Sequence, residues 1–269
     1  MTARDRVRAL LTGFAAGVAG GLFGVGGGLV LIPLLTAFFG LRQHAAHGTS
    51  LAVIGGTALA SIFVYAAYSH VAWSVALAVA ITSLLTVRLG ARWATRLSSR
   101  LLTQSFAIFL VIVAVRLLWK TPTGSGHALE LGAMGLVLDA ALGACVGVLA
   151  GFMGVGGGIL AVPAFTLLLG MSQPLAQGTS LAVILVTAPL GSYEHSRHGN
   201  VAWGLVPMLA VGAAVGGPLG SWLAQILPHL LLTRSFAVFL LLNAANTWLR
   251  ARRQAAAVTA PPEATSARP

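Results

Sequence analysis

The sequence predicts an all-α, polytopic integral membrane protein made of two inverted-topology repeats. Three observations predict it. First, 57% of the 269 residues are hydrophobic and only 8% are charged, against about 25% charged in a soluble domain. Second, the chain matches itself when shifted by 130 residues. Third, its cations gather where one membrane face would be. The same composition excludes a disordered chain, which needs low hydrophobicity and high charge. A single cysteine, Cys145, excludes a disulfide framework and any cysteine-based zinc or iron–sulfur site.

The duplication is ungapped. GLFGVGGGLVLIP at 21–33 lies over GFMGVGGGILAVP at 151–163, and HGTSLAVI at 47–54 over QGTSLAVI at 177–184. VAW at 71–73 lies over 201–203, and LLTQSFAIFL at 101–110 over LLTRSFAVFL at 231–240. With 9–119 set against 139–249, 40 of the 111 pairs are identical, which marks an internal repeat. The expected organisation is a first membrane repeat at 1–119, a linker at 120–132, a second repeat at 133–250 and a polar cytoplasmic tail at 251–269.

Each repeat holds five apolar pieces. In the first they are 7–23, 29–40, 50–68, 71–87 and 104–119. In the second they are 133–153, 159–170, 180–195, 201–219 and 234–249. The first piece begins after a basic flank, as a signal peptide does, but 13–24 pairs with 143–154 deep in the chain, so it is read as part of the repeat. The second piece has only 12 residues, a helix of ~18 Å against a hydrocarbon core of ~30 Å. It follows a glycine break, so pieces one and two form a re-entrant or broken helix with its tip near the midplane. The remaining three pieces cross.

Charge sets the orientation. Five pieces per repeat make an odd number of passes, so the second copy enters from the opposite face. With a cytoplasmic N-terminus, 13 of the 16 cations lie inside, and only Arg116, Lys120 and Arg234 lie outside. Residues 88–100 carry four arginines and their counterpart 218–230 none. Inverted repeats with both termini cytoplasmic satisfy this pattern. The net charge of +11 is therefore an orientation signal rather than a nucleic-acid footprint.

Two motifs carry chemistry. In the GVGGG stretches, Gly26, Gly27 and Gly28, with Gly156, Gly157 and Gly158, permit irregular backbone and leave N–H groups uncovered. Irregular backbone at membrane depth survives only where protein buries it or water lines it. The short helices that follow point their N-termini at that place, which favours anions. Opposed across the repeats, the two breaks would bracket a substrate cavity. Packing alone is the other reading, and it is the one assigned to the ladders Gly13, Gly17, Gly21 and Gly143, Gly147, Gly151.

The second motif is Gly48, Thr49, Ser50 and its copy Gly178, Thr179, Ser180. It reads either as a helix N-cap or as substrate lining, helped by Gln43 and Gln173. His47 becomes Gln177 in the second copy, which excludes a symmetric histidine pair there. Glu194 and His195 replace Val64 and Tyr65 and are proton-coupling candidates, with a charged helix boundary as the alternative. Asp139 is expected to be solvated, Cys145 buried, and Asn243 and Asn246 to join helices. No residue is assigned a catalytic role, and neither metal nor cofactor is expected.

These motifs, in this order and in both copies, resemble the sulfite exporter TauE/SafE family over about residues 9–249. The resemblance implies a bacterial inner-membrane transporter of small sulfur-containing anions such as sulfite, sulfoacetate or organosulfonates. It implies a small anion and the lipid bilayer as partners and no nucleic acid, with self-association left open. The expected function is secondary transport with the site near the midplane between the repeats. A passive anion channel is the alternative, and a membrane enzyme or scaffold a weaker one.

Overall fold

The computed structural model describes residues 2–94, 99–119, 132–153 and 158–259. They form ten helices and no strand. The first repeat holds α1 (Ala3–Phe23), α2 (Gly28–Phe39), α3 (Gln43–Ala67), α4 (Trp73–Ala94) and α5 (Ser99–Trp119). The second holds α6 (Gly132–Met153), α7 (Gly158–Leu167), α8 (Gln173–Arg197), α9 (Val206–Ile226) and α10 (His229–Thr259). The protein is a polytopic, all-helical membrane protein. Four helices among the described residues are long and apolar enough to cross a bilayer: Gln43–Ala67, Gln173–Arg197, Val206–Ile226 and His229–Leu249. Large apolar side chains such as Leu11, Phe63, Leu85, Val137 and Leu242 are more than half exposed, a surface that only lipid covers well.

The short second helices are real. α2 has 12 residues and α7 has 10, about 18 and 15 Å at 1.5 Å per residue. Pro33 and Pro163 sit inside them, and each lacks a backbone N–H for the helix ladder. The hydroxyls of Thr36 and Thr166 donate to the proline carbonyls at 2.9 and 3.1 Å.

The repeats interlock rather than stand side by side. α1 packs along α9, and α4 along α6, so each repeat lays its first helix on the other's fourth. The glycine ladders make this close. A Cβ at Gly13, Gly17 or Gly21 would strike the backbone of Leu209, Ala213 or Gly217 in turn. One at Gly143 or Gly147 would strike Val79 or Ser83. The packing role read for these ladders holds wherever their side-chain positions are described; Gly151 lies outside that set.

The third helices, α3 and α8, pack on each other. Gly48 lies against His195, Leu51 against Gly191, Gly55 against Ala188, and Tyr65 against Gly178. The partner number falls as the first rises, so these equivalent helices run antiparallel. Ile54, Ala58, Tyr65, Leu181, Ile184 and Ala188 form the apolar seam between them.

Two smaller expectations change, and one lies outside the described side chains. Cys145 is exposed rather than buried, because it lies on the α6 face away from the Gly143 and Val146 side that packs inward. The Asn243 amide donates to the Phe239 carbonyl of its own helix at 2.8 Å instead of bridging helices. Most of the arginine-rich stretch 88–100 has side chains outside the described residues.

Candidate functional site

The first glycine break is built from residues 24–28. Gly24, Gly26 and Gly27 have φ of +67°, +70° and +88°, a left-handed region that costs side-chain-bearing residues about 1–2 kcal/mol. Three such residues in four turn the chain out of α1 and into α2 with no strand or long loop. α2 then starts at Gly28, and its cap residue Gly27 offers no side chain to the free N–H groups of the first turn.

The three glycines of the break face different things. A Cβ on Gly26 would lie 3.2 Å from Ile54 and 3.5 Å from Ile184, the matching isoleucines of the two repeats. A Cβ on Gly28 would lie 3.4 Å from Ser50 Oγ. Gly27 instead backs onto the Ala16 carbonyl of α1, so a side chain has no room there. Leucine at Gly27 would collide with backbone and unseat α1, and so it cannot test a cavity in an otherwise intact protein.

The start of α7 lies close to the first break. Gly158, the first residue of α7, faces Ile184 and lies near the Val25 carbonyl. Gly26 and Gly158 thus meet the same isoleucine from opposite repeats. Gly156 and Gly157 lie outside the described residues. The serines differ. Ser180 Oγ donates to the Gly158 carbonyl at 3.1 Å, whereas Ser50 Oγ is buried beside α2 without a hydrogen-bond partner.

The second motif is not a helix cap. α3 begins at Gln43 after Arg42, and α8 at Gln173 after Ser172. Gly48, Thr49, Ser50 and their copies therefore lie in the second turn and are buried. Their work is to join the repeats. The Ala202 N–H donates to Thr49 Oγ1 at 2.9 Å, and the Ala72 N–H to Thr179 Oγ1 at 3.0 Å. Gly48 faces the Asn200 carbonyl and Gly178 the His70 carbonyl. Each triplet holds the turn after the opposite repeat's third helix. The VAW match and the triplet match in the sequence are two halves of one contact.

Around these matched contacts the polar side chains diverge. Gln43 is exposed and lies 3.2 Å from His47, while Gln173 is 1% exposed with neither amide atom partnered. Tyr65 is fully buried, with its hydroxyl 2.8 Å from the Gly21 carbonyl and 3.0 Å from the Gln177 amide oxygen. Its counterpart His195 is half-buried, and its Nδ1 has no partner. His44, His198 and Glu194 lie within electrostatic reach of it. Glu194 itself is exposed at the helix end. Ile54 and Ile184 carry no assignment from sequence, and Tyr65 and Gln177 enter there only as the counterparts of His195 and His47. The isoleucines sit four residues after Ser50 and Ser180, on the same helix face, which was the available signal.

Comparison with known proteins agrees with this architecture. The model of the family described as "Sulfite exporter TauE/SafE" matches residues 2–117 and 138–269, on either side of the linker region. A "Probable membrane transporter protein YunE" of Bacillus subtilis is 29% identical over 234 residues, covering 79% of this chain and 86% of that protein. A "Probable membrane transporter protein" of Xylella fastidiosa is 28% identical over 226 residues, covering 83% and 87%. One of Haemophilus influenzae is 26% identical over 262 residues, covering 90% and 97%. No solved structure matches the chain.

Proposed function

Because the chain belongs to the sulfite exporter TauE/SafE family of membrane transporters, we propose that it is a secondary transporter of small sulfur-containing oxyanions. Sulfite, sulfoacetate and organosulfonates are the substrates this reading names. The observation that carries it is the first glycine break: Gly26 and Gly28 face Ser50, Ile54 and the opposite repeat's Ile184. There the uncapped start of α2 meets a buried, unpartnered hydroxyl. Helix N-termini attract anions through their free N–H groups and dipole.

The packing supports a transport cycle by rocking of the repeats. Antiparallel α3 and α8 support inverted repeats, each entering the inner membrane from the opposite face, with both termini cytoplasmic. In this reading residues 1–119 and 133–250 rock against each other about the seam of Ile54 and Ile184. The anion passes from one side to the other between the breaks. Glu194 and His195 carry the coupling proton, with His195 near the inner face where the motion opens.

The test uses Gly28→Ala. The new methyl reaches ordinary contact distance of Ser50 and Ile54, so the fold is kept while the helix start is covered. In proteoliposomes, sulfite flux should fall at least tenfold with an unchanged melting temperature. Wild-type flux in this variant would remove the break from the substrate path.

A further inference from the structure

The start of α8 is an uncapped, wholly buried helix N-terminus. Met171 is 0%, Ser172 8% and Gln173 1% exposed. Ser172 occupies the cap position but makes no side-chain cap bond. Pro174 has no N–H, so the first turn offers those of Gln173 and Leu175; the Ala176 N–H reaches the Ser172 carbonyl at 2.9 Å. A buried helix end without partners is unusual, since each orphan donor is costly away from water.

Two glutamine amides share this end. Gln173 and Gln177 are four residues apart, on one helix face. Both Gln173 amide atoms are buried and unpartnered, and so is Gln177 Nε2. The Tyr65 hydroxyl has one hydrogen and two neighbours, the Gly21 carbonyl and the Gln177 amide. If it shares that hydrogen, the Gln177 N–H2 group is free. If the amide is turned to donate to the hydroxyl, one N–H is still free. Neither 168–184 nor 62–75 contains a carboxylate. Gln177 also packs against Gly24, the first residue of the glycine break. The equivalent end of α3 is built differently: Arg42, Gln43 and His44 are exposed there.

We infer that the α8 start binds a small oxyanion through neutral donors, the amides of Gln173 and Gln177 and the free N–H groups of the first turn. Tyr65 is the positioning residue that fixes the Gln177 amide. This station rests on the oxyanion reading given above and adds a second position to it, with Gln177 against Gly24 and Gln173 one helix turn further on. Neutral donors suit a transported ion, because a paired arginine would hold it and release it slowly. The helix end supplies the positive potential.

The experiment is thermal stabilisation of the purified full-length protein by sulfite and by methanesulfonate, with chloride as control. Variants are Gln173→Leu, Gln177→Leu, Tyr65→Phe and Ser50→Ala, each compared with its own anion-free melting temperature. The expected result is at least tenfold weaker stabilisation in Gln173→Leu and Gln177→Leu, with Tyr65→Phe intermediate. Should either leucine variant fail to fold, Gln173→Asn, which keeps the amide but shortens it, is expected to weaken stabilisation at least threefold. Wild-type stabilisation in all the glutamine variants, with loss in Ser50→Ala, would overturn this station and leave the glycine-break reading intact. No stabilisation of the wild-type protein by either anion would overturn both.

Discussion

The two ends of the α3–α8 pair share one backbone contact and carry different chemistry. At each end a threonine accepts a backbone N–H from the other repeat, and a glycine admits a carbonyl. At one end Tyr65 fills the adjoining position, fully buried and bonded to Gly21 and Gln177. At the other, half-buried His195 leaves Nδ1 unpartnered, among His44, His198 and Glu194. Residues 61–70 and 191–200 share no identity in register, although the segments beside them do. Duplication therefore kept the contacts that hold the repeats together. The polar groups beside those contacts are where the copies diverged.

The comparison is broken most severely at its shared part. Gly48→Val and Gly178→Val would each drive a side chain into a carbonyl of the opposite repeat. Each should cost about 3 kcal/mol or more, the upper range for overpacking. Thermal melting in detergent should show both losses alike. A normal melting temperature for one of them would mean that the two contacts are not equivalent.

Thr49→Val and Thr179→Val remove the cross-repeat acceptor while keeping shape. Each strands a backbone N–H, at a cost of roughly 1–3 kcal/mol. The two should again match within error. A loss confined to one would show that its partner segment finds another acceptor.

The diverged part should respond unequally. Tyr65→Phe removes a satisfied buried hydroxyl and should cost about 1–2 kcal/mol. His195→Phe removes a ring whose Nδ1 is unpartnered, so it should cost less or stabilise. The pair His195→Tyr with His47→Gln rebuilds the tyrosine–glutamine end at the histidine end. If His195 carries the coupling proton, this double variant should flatten the pH dependence of transport between about pH 5 and 8, where histidine titrates. An unchanged profile would take His195 out of proton coupling.

The smallest effect is expected at Asp5. The Thr2 side chain and backbone N–H both donate to its carboxylate and hold its pKa below the usual aspartate range. A depressed pKa means stabilisation that is present at neutral pH and lost as pH falls through the folded-state value. Asp5→Asn, or acid, should fray only the first turn of α1, seen as faster amide exchange there with an unchanged global melt.

Much of this was legible in the sequence. The 130-residue shift, the short second pieces and the glycine ladders gave the ten helices, the half-length of α2 and α7, and the close packing on α1 and α6. The cap alternative for the triplet fails because Thr and Ser before an apolar run only have the pattern of a cap. The polar stretch 43–50 hid one and a half further turns of helix, whose burial comes from tertiary contact. Which glycine of the break faces Ser50 and which faces Ala16 was hidden for a similar reason, since nothing local tells them apart. The Tyr65–Gln177 contact joins residues 112 apart. Inverted repeats imply that α3 and α8 run antiparallel, but that these two helices pack on each other is not visible in periodicity or charge.

The central claim is that the protein moves a small sulfur oxyanion through a site between its two repeats. Counterflow measures this most directly. Proteoliposomes loaded with unlabelled sulfite are diluted into a trace of labelled sulfite, with no other gradient. A transient accumulation of label above equilibrium is expected, abolished by Gly28→Ala. Label that never rises above equilibrium in the wild-type protein, or does not enter at all, would contradict the claim.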